Sequence, residues 1–181
     1  MSAAPPRRQS GVSLIELIMT LAVAAILAGI ASPPLAHMVR RQRLQSTQFA
    51  YLAALRHARA LALEQQARIL FCPSTDGHRC GRYTDWGRGW LIARDRNRDG
   101  QPDGAPLRVG SAASHIAVFG TAGRNQVRFL PNGTAAGSNL GLLFCADGEP
   151  ALRVVVSNAG RVRGATATAA EAAPCAQEHP S

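Results

Sequence analysis

The sequence predicts an α+β fold in which a long N-terminal α-helix packs on an antiparallel β-sheet head. Two observations predict it. An apolar run over residues 12–31 continues into a helical pattern that reaches about residue 66, and from residue 68 the chain breaks into short β-type runs separated by Gly, Pro, Asn and Asp. With 181 residues, the chain has room for one soluble domain and an appendage.

The apolar run is long enough to span a bilayer. A rise of about 1.5 Å per residue gives its twenty residues a length of about 30 Å. Arg7 and Arg8 precede it, which predicts a cytoplasmic N-terminus. A secretory signal would end in small residues at a cleavage site, whereas Ser32-Pro33-Pro34 follows here. We therefore expect residues 12–34 to be retained as a transmembrane helix.

The helix is predicted to continue as an amphipathic segment over residues 35–66. Apolar residues recur there at helical spacing and form one face: Leu44, Tyr51, Leu52, Leu55, Ala58 and Ala62. Arginines such as Arg56 and Arg59 fall largely elsewhere on the helix. We expect the apolar face to carry the sheet.

Residues 67–164 are predicted to form a β-rich periplasmic head. Six runs have the composition of strands, at Ile69–Cys72, Gly89–Arg94, His115–Phe119, Gln126–Leu130, Leu140–Cys145 and Leu152–Ser157. Their spacing fits one antiparallel sheet. Residues 165–181 are rich in Ala and polar groups, and we expect a loose C-terminal tail tied at Cys175.

Four cysteines, Cys72, Cys80, Cys145 and Cys175, allow two disulfides in an oxidising compartment. A zinc site is the alternative, but such sites usually contain a close CxxC pair, which these spacings lack. Three pairings are possible. We favour Cys72–Cys80 with Cys145–Cys175, because this pairing closes a short loop and fixes the tail.

The charge of the chain points to a polyanionic partner. The formal net charge is +9, and every Lys or Arg position is Arg. Without residues 1–11 the charge is still 18 − 11 = +7, so the excess belongs to the body of the protein. Nucleic acid, anionic lipid and acidic polysaccharide all fit this excess.

The segment Asp95–Asp103 begins like a calcium loop, with the pattern D-x-N-x-D-G. Pro106 stands at the twelfth position where Glu is needed, and two Arg residues are interleaved among the acids. We expect an Asx-rich turn between strands here, and no metal.

Catalytic motifs are missing from the sequence. The five His residues have no nucleophile or acidic partner in a known motif, and there is no GxSxG, HExxH or phosphate loop. We expect no enzymatic activity, no cofactor and no small-molecule substrate.

The segment Gly160-Arg161-Val162-Arg163 follows a strongly β-branched run. If Gly160 makes a turn and the next residues are extended, Arg161 and Arg163 point to the same side, about 6–7 Å apart. That separation suits successive phosphates of a nucleic acid backbone, and guanidinium groups bind phosphate well. An ordinary basic hairpin is the alternative.

The stretch Arg7–Glu16 resembles the class III signal of type IV prepilins and type II secretion pseudopilins. The resemblance implies that a prepilin peptidase removes the 1–11 leader between Gly11 and Val12, and that Val12 is then N-methylated. It implies that Glu16 pairs with the terminal ammonium of a neighbouring subunit, which offsets the cost of about 2–3 kcal/mol of a carboxylate in an apolar run. It also implies a kink at Pro33, with a sharper break from the second proline.

The head resembles FimT/GspH-like pseudopilins. The motifs that carry the resemblance are Phe71-Cys72-Pro73-Ser74, Trp86-x-x-Gly89-Trp90, the Asp95–Gly100 turn, Phe129-x-x-x-Gly133 and Gly160-Arg161-x-Arg163. The resemblance implies a type IV pilin-like fold. The terminal G-R-x-R resembles the FimT branch, which implies DNA contacts by Arg161 and Arg163 beside Gly160. Arg153, Arg124 and Arg128 are weaker candidates, on charge alone.

We therefore expect a minor type IV pilin that binds extracellular double-stranded DNA without sequence preference, for uptake in natural transformation, and takes part in pilus biogenesis. The alternative is a GspH-like minor pseudopilin with a structural role in type II secretion. Expected partners are other pilin or pseudopilin subunits, the prepilin peptidase/N-methyltransferase and the inner membrane. We expect a single-pass inner-membrane protein with a periplasmic head, incorporated into a pilus or pseudopilus.

Overall fold

The computed structural model describes residues 13–135 and 137–177. Its elements in chain order are helix α1 (Leu14–Gln65), strands β1 (Ile69–Pro73), β2 (Trp90–Arg94), β3 (Arg108–Gly110) and β4 (Ala117–Gly120), a 3-10 turn (Thr121–Gly123), strands β5 (Val127–Phe129), β6 (Leu140–Cys145), β7 (Leu152–Val156) and β8 (Val162–Thr166), and helix α2 (Ala169–Gln177). The predicted α+β class, with a long N-terminal helix and antiparallel strands, is confirmed.

The chain divides into two compact units, Met1–Met38 and Val39–Ser181. In the first unit α1 exposes large apolar side chains, among them Leu14, Ile18 and Ile26. Across the residues that the structure describes, no helix combines the length and the apolar character needed to cross a bilayer.

Helix α1 runs without interruption through Pro33 and Pro34. The kink expected at Pro33, made sharper by Pro34, is a change of axis direction within a helix, and it stays a prediction. A proline within a helix lacks the N–H for one backbone hydrogen bond, but its φ near −65° is compatible with helical geometry, so the remaining bonds can continue the helix.

The core of the second unit forms between α1 and two sheets. The predicted apolar face of α1 is buried, and Tyr51, Leu55 and Ala58 are at most 2% exposed. The Tyr51 ring meets Phe71 of the first sheet at 6.2 Å and Phe144 of the second at 5.3 Å between centroids, both edge-on. Aromatic pairs prefer this geometry, so one helix residue joins both sheets.

The head contains two four-stranded antiparallel sheets, where we expected one. Their strand orders are β3-β2-β1-β5 and β4-β6-β7-β8. Strands β3 and β8 were not among the predicted runs. Both are edge strands with mostly exposed residues, so they lack the apolar alternation that identifies a half-buried strand. Strand β4 begins at Ala117 rather than His115, because His115 has φ of 61°.

Residues 165–181 do not form the loose tail that we expected, as far as the structure describes them. Thr166 ends β8, and Ala169–Gln177 form α2. Thr168 and Glu171 form a capping box: the Glu171 carboxylate accepts the Thr168 N–H at 2.9 Å, and the Glu171 N–H donates to Thr168 Oγ1 at 3.4 Å. The capped helix packs on β6.

The two predicted disulfides are present. Cys72–Cys80 closes the short loop after β1, and Cys145–Cys175 joins β6 to α2. The alternative of a zinc site is excluded because all four cysteines are paired in these bonds.

Candidate nucleic-acid interface

The hairpin between β7 and β8 presents the G-R-x-R segment. The Gly160 N–H donates to the Ser157 carbonyl at 2.8 Å, and the Ser157 N–H donates to the Arg161 carbonyl at 3.0 Å. Gly160 has φ of 76°, in the left-handed region that glycine adopts without a steric cost. The chain therefore reverses at Gly160 and is extended from the next residue onward.

Arg161 and Arg163 are both exposed, and Val162 between them is buried at 7% exposure. Successive side chains of an extended chain point to opposite faces. The side chains of Arg161 and Arg163 therefore lie on one face, and the side chain of Val162 lies on the other. Arg163 pairs in register with Val155 of β7, at the free edge of the second sheet. The structure thus brings the two predicted DNA contacts to one side of the extended chain, with Arg161 directly before β8 and Arg163 within it.

Helix α1 holds this hairpin through two polar side chains. Gln48 Nε2 donates to the carbonyl of Arg153 on β7 at 2.9 Å and to that of Ala165 on β8 at 3.2 Å. Further along the helix, Arg59 Nε donates to the Gly133 carbonyl at 2.9 Å. These bonds fix both strands and the loop before β6 on the helix.

A cleft of about 270 Å³ opens between α1 and the hairpin. It is lined by Arg56, Arg59, Ala60, Leu63, Gly160, Arg161 and Val162, and none of these is acidic. Arg56, Arg59 and Arg161 therefore line one cleft whose wall contains no carboxylate, and Arg163 is not among the lining residues. We call it the hairpin cleft.

Sequence reasoning missed Arg56 and Arg59 as members of this site. Their spacing of three residues places them on one helix face, and this could be predicted from the sequence. That this face meets the β7–β8 hairpin depends on tertiary packing, which the local pattern did not contain.

The three weaker arginine candidates do not line the hairpin cleft. The guanidinium of Arg153 forms an ion pair with Glu171 of α2. Arg124 donates through Nη1 to the Gly137 carbonyl, and Arg128 is a half-buried residue of β5 in the other sheet. Hydrogen bonds from Thr168 lower the pKa of Glu171, and the charge of Arg153 lowers it further.

The Asp95–Asp103 segment forms a turn in which the acidic side chains bind within the protein. Asp95 is fully buried, contacts the Arg68 guanidinium at 2.9 Å and accepts the Gly100 N–H at 3.3 Å. Asp103 accepts the Arg96 N–H. Over the described part of the chain, His, Cys, Asp and Glu side chains form no group of three that could hold a metal ion.

The residues predicted to act in assembly lie in or before α1. Gly11 and Val12, at the predicted cleavage and methylation site, lie outside the described residues. Glu16 is exposed in the first turn, and its N–H donates to Ser13 Oγ at 3.3 Å. Pro33 lies within the uninterrupted helix.

A family model for the type II transport protein GspH matches residues 50–160. The chain belongs to the GspH family. A second model, the prokaryotic N-terminal methylation motif, matches residues 6–32 and marks this GspH-family chain as a pilus or pseudopilus component anchored by an N-terminal helix. The GspH match ends at Gly160, so Arg161 and Arg163 lie beyond it.

Solved structures of minor pilins are similar to the chain. Two crystal forms of the type IV minor pilin FimU of Pseudomonas aeruginosa align at 24% identity with TM-scores of 0.57 and 0.55, covering 70% and 67% of this chain and 90% and 91% of FimU. The minor pseudopilin EpsH of the Vibrio cholerae Type 2 Secretion System aligns at 13% identity and a TM-score of 0.49, covering 68% of this chain and 97% of EpsH. No curated protein sequence gives a significant match.

These findings place the chain among minor type IV pilins and pseudopilins, which are structural subunits. Membership of this family implies assembly with other pilin subunits. The family covers both a pilus and a secretion role.

Proposed function

We propose that the chain is a minor type IV pilin that binds extracellular double-stranded DNA without sequence preference, for uptake in natural transformation, and takes part in pilus biogenesis. One observation carries the proposal. Arg161 and Arg163 are exposed on either side of buried Val162, next to a cleft that Arg56 and Arg59 line and that contains no acidic residue.

The chemistry of this surface suits a phosphate backbone. Guanidinium groups bind phosphate through paired N–H donors, and they remain charged at any physiological pH. Arg163 lies on the edge strand β8 and Arg161 directly precedes it, so a duplex has access to both arginines. With roughly two to four phosphates neutralised, the log–log slope of affinity against salt should lie near −2 to −4.

The test is fluorescence anisotropy of a labelled duplex of random sequence, titrated with the full-length protein at several salt concentrations. The double variant Arg161→Gln and Arg163→Gln should lose binding. The matched control, Arg88→Gln with Arg108→Gln, removes the same charge from exposed positions that do not line the hairpin cleft and should bind as the wild type does. Equal binding by both variants would show that the assignment to Arg161 and Arg163 is wrong.

The alternative function is a GspH-like minor pseudopilin with a structural role in type II secretion. The match to the GspH family model is consistent with this alternative as well. In that case the wild-type protein would show no salt-dependent DNA binding, and deletion of the gene would abolish protein secretion rather than DNA uptake.

We also propose that a prepilin peptidase of the inner membrane cuts between Gly11 and Val12 and methylates Val12, and that Glu16 then pairs with the new amine of an adjacent subunit. Mass spectrometry of the native protein tests the first step. A chain that retains residues 1–11 would overturn it. We assign no catalytic activity to the chain itself.

A further inference from the structure

A second basic cleft lies beside the C-terminal end of α1. Its volume is about 560 Å³, and it is lined by Gln65, Gln66, Ala67, Arg68, Arg96, Arg98, Leu130 and Pro131. None of these residues is acidic. We call it the helix-end cleft. Arg96 and Arg98 come from the Asp95–Asp103 turn, which the proposed function does not use.

A single turn separates the two clefts. The turn at residues 130–133 is held on α1 by Arg59 Nε, which donates to the Gly133 carbonyl at 2.9 Å. Gln66, directly after α1, donates through Nε2 to the Pro131 carbonyl at 3.4 Å. Leu63 lines the hairpin cleft, while Gln65 and Gln66 line the helix-end cleft. Leu130 and Pro131 of this turn line the helix-end cleft, and Gly133 accepts from Arg59, which lines the hairpin cleft, so both clefts adjoin the same turn.

The carboxylates of the Asp95–Asp103 turn are directed into its own hydrogen bonds. Asp95 is buried against Arg68, Asp99 accepts the Gln101 N–H at 2.8 Å and the Asn97 side-chain N–H at 3.0 Å, and Asp103 accepts backbone N–H groups of the turn. Glu64 of α1 lines neither cleft. Arg96 and Arg98 are exposed residues.

The backbone conformation at Arg98 in this turn is unfavourable for a residue with a β-carbon. Arg98 has φ of 66°, which residues other than Gly, Asn and Asp adopt rarely. A glycine would relieve the strain but would remove the charge. Arg96 and Arg98 are also two residues apart, as Arg161 and Arg163 are.

We propose that the helix-end cleft is a second backbone-phosphate contact for the same duplex, with Arg96 and Arg98 as its ligands, so that DNA crosses the turn at residues 130–133 between the two clefts. This inference rests on the proposed DNA binding at the hairpin cleft. It extends the site from one strand edge to a path that includes the end of α1.

The experiment compares three variants of the full-length protein by anisotropy against salt: Arg96→Gln with Arg98→Gln, Arg161→Gln with Arg163→Gln, and the control Arg88→Gln with Arg108→Gln. Each pair removes two positive charges. Loss of two phosphate contacts should make the slope of the first variant shallower by about 2 and lower its affinity about tenfold at low salt. Thermal unfolding followed by circular dichroism should be unchanged, because Gln keeps the strain at position 98.

The outcomes separate the two proposals. If the Arg96/Arg98 variant has the slope and affinity of the control while the Arg161/Arg163 variant loses binding, the second contact is wrong and the proposed function stands. If the Arg161/Arg163 variant binds as the wild type does, the hairpin site is wrong. If the wild-type protein shows no salt-dependent DNA binding, both the proposed function and the second contact are wrong.

Discussion

The α-carbon of Gly160 packs directly on the carbonyl oxygen of Gly133. A β-carbon at position 160 would lie 1.9 Å from that oxygen, and the same oxygen accepts the Arg59 Nε at 2.9 Å. The β7–β8 hairpin, the turn before β6 and helix α1 therefore meet at one atom. The arginines on both sides of this contact depend on it for their relative positions.

Gly160→Ala should destabilise the protein by about 2–3 kcal/mol. Part of the loss is the left-handed φ of 76°, which costs about 1 kcal/mol or more for a residue with a β-carbon, and the rest is displacement of a backbone oxygen that cannot move freely. Urea denaturation of the full-length protein measures the loss. The salt slope of DNA binding should also become shallower, because the hairpin moves away from Arg59.

Gly137→Ala is the matched control for this substitution. Gly137 has φ of 72°, and a β-carbon there meets nothing within 4 Å. It therefore isolates the conformational cost, and we expect a loss of about 1 kcal/mol. Equal losses in the two variants would mean that the contact with Gly133 contributes nothing.

Tyr51→Phe should lower the free energy of unfolding by about 1–2 kcal/mol. The Tyr51 hydroxyl donates to the Trp86 carbonyl at 2.5 Å in the core, and the substitution leaves that buried carbonyl without its donor. Burial raises the pKa of Tyr51, as does the nearby charge of Asp85, so the hydroxyl stays protonated and able to donate. Thermal unfolding provides the measurement.

Tyr83→Phe serves as the comparison for the loss of a hydroxyl. The Tyr83 hydroxyl is buried and has no hydrogen-bond partner among the described residues. Its removal should therefore leave stability unchanged or raise it. A loss equal to that of Tyr51→Phe would contradict the role assigned to the Trp86 contact.

Helix α1 and six of the eight strands were readable from the sequence because their apolar residues follow a period set by burial. Strand β6 matches its predicted bounds, Leu140–Cys145, and every residue except Gly141 is buried. Edge strands β3 and β8 were not predicted, because most of their side chains are exposed and show no apolar alternation. Helix α2 was missed although Thr168-Ala-Ala-Glu171 is a capping box, since its Ala-rich composition looked like a tail.

The positions of Arg161 and Arg163 could be predicted from the local sequence. The positions of the other arginines of the site could not. Alternation around Val162 fixes the directions of Arg161 and Arg163 whatever the strand packs on. The approach of Arg59 to this hairpin requires contacts between residues 74 positions apart, such as Arg59 with Gly133. No local pattern contains such a contact.

Acid should loosen α2 before it unfolds the head. The lowered pKa of Glu171 means that its stabilising effect is complete above the ordinary pKa of a Glu carboxyl and is lost as the pH falls through the lowered pKa. Protonation weakens the Glu171 carboxyl as an acceptor for the Thr168 N–H and removes the charge that faces Arg153. Amide exchange of α2, corrected for its intrinsic pH dependence, should show protection falling over this window.

Glu171→Gln should abolish that pH dependence of α2, because the amide does not titrate in this range. The variant should show the same reduced protection at neutral and acidic pH. A wild-type pH profile in the variant would assign the effect to another group.

Release of Arg153 from Glu171 should strengthen DNA binding. Arg153 and Arg163 are on neighbouring strands, and their register, Arg153 with Ala165 and Val155 with Arg163, places both on one face of the second sheet. In the folded protein the charge of Arg153 is offset by Glu171. Glu171→Gln should therefore add about one phosphate contact and steepen the salt slope by about 0.9.

The double variant Glu171→Gln with Arg153→Gln separates this effect from general removal of negative charge. It carries one positive charge fewer than the single variant, so its net charge equals that of the wild type. If Arg153 supplies the added contact, the slope of the double variant returns to the wild-type value. If the single variant does not steepen the slope, the DNA path stays on the β8 edge and does not extend onto β7, because a freed guanidinium beside Arg163 would otherwise meet the same backbone.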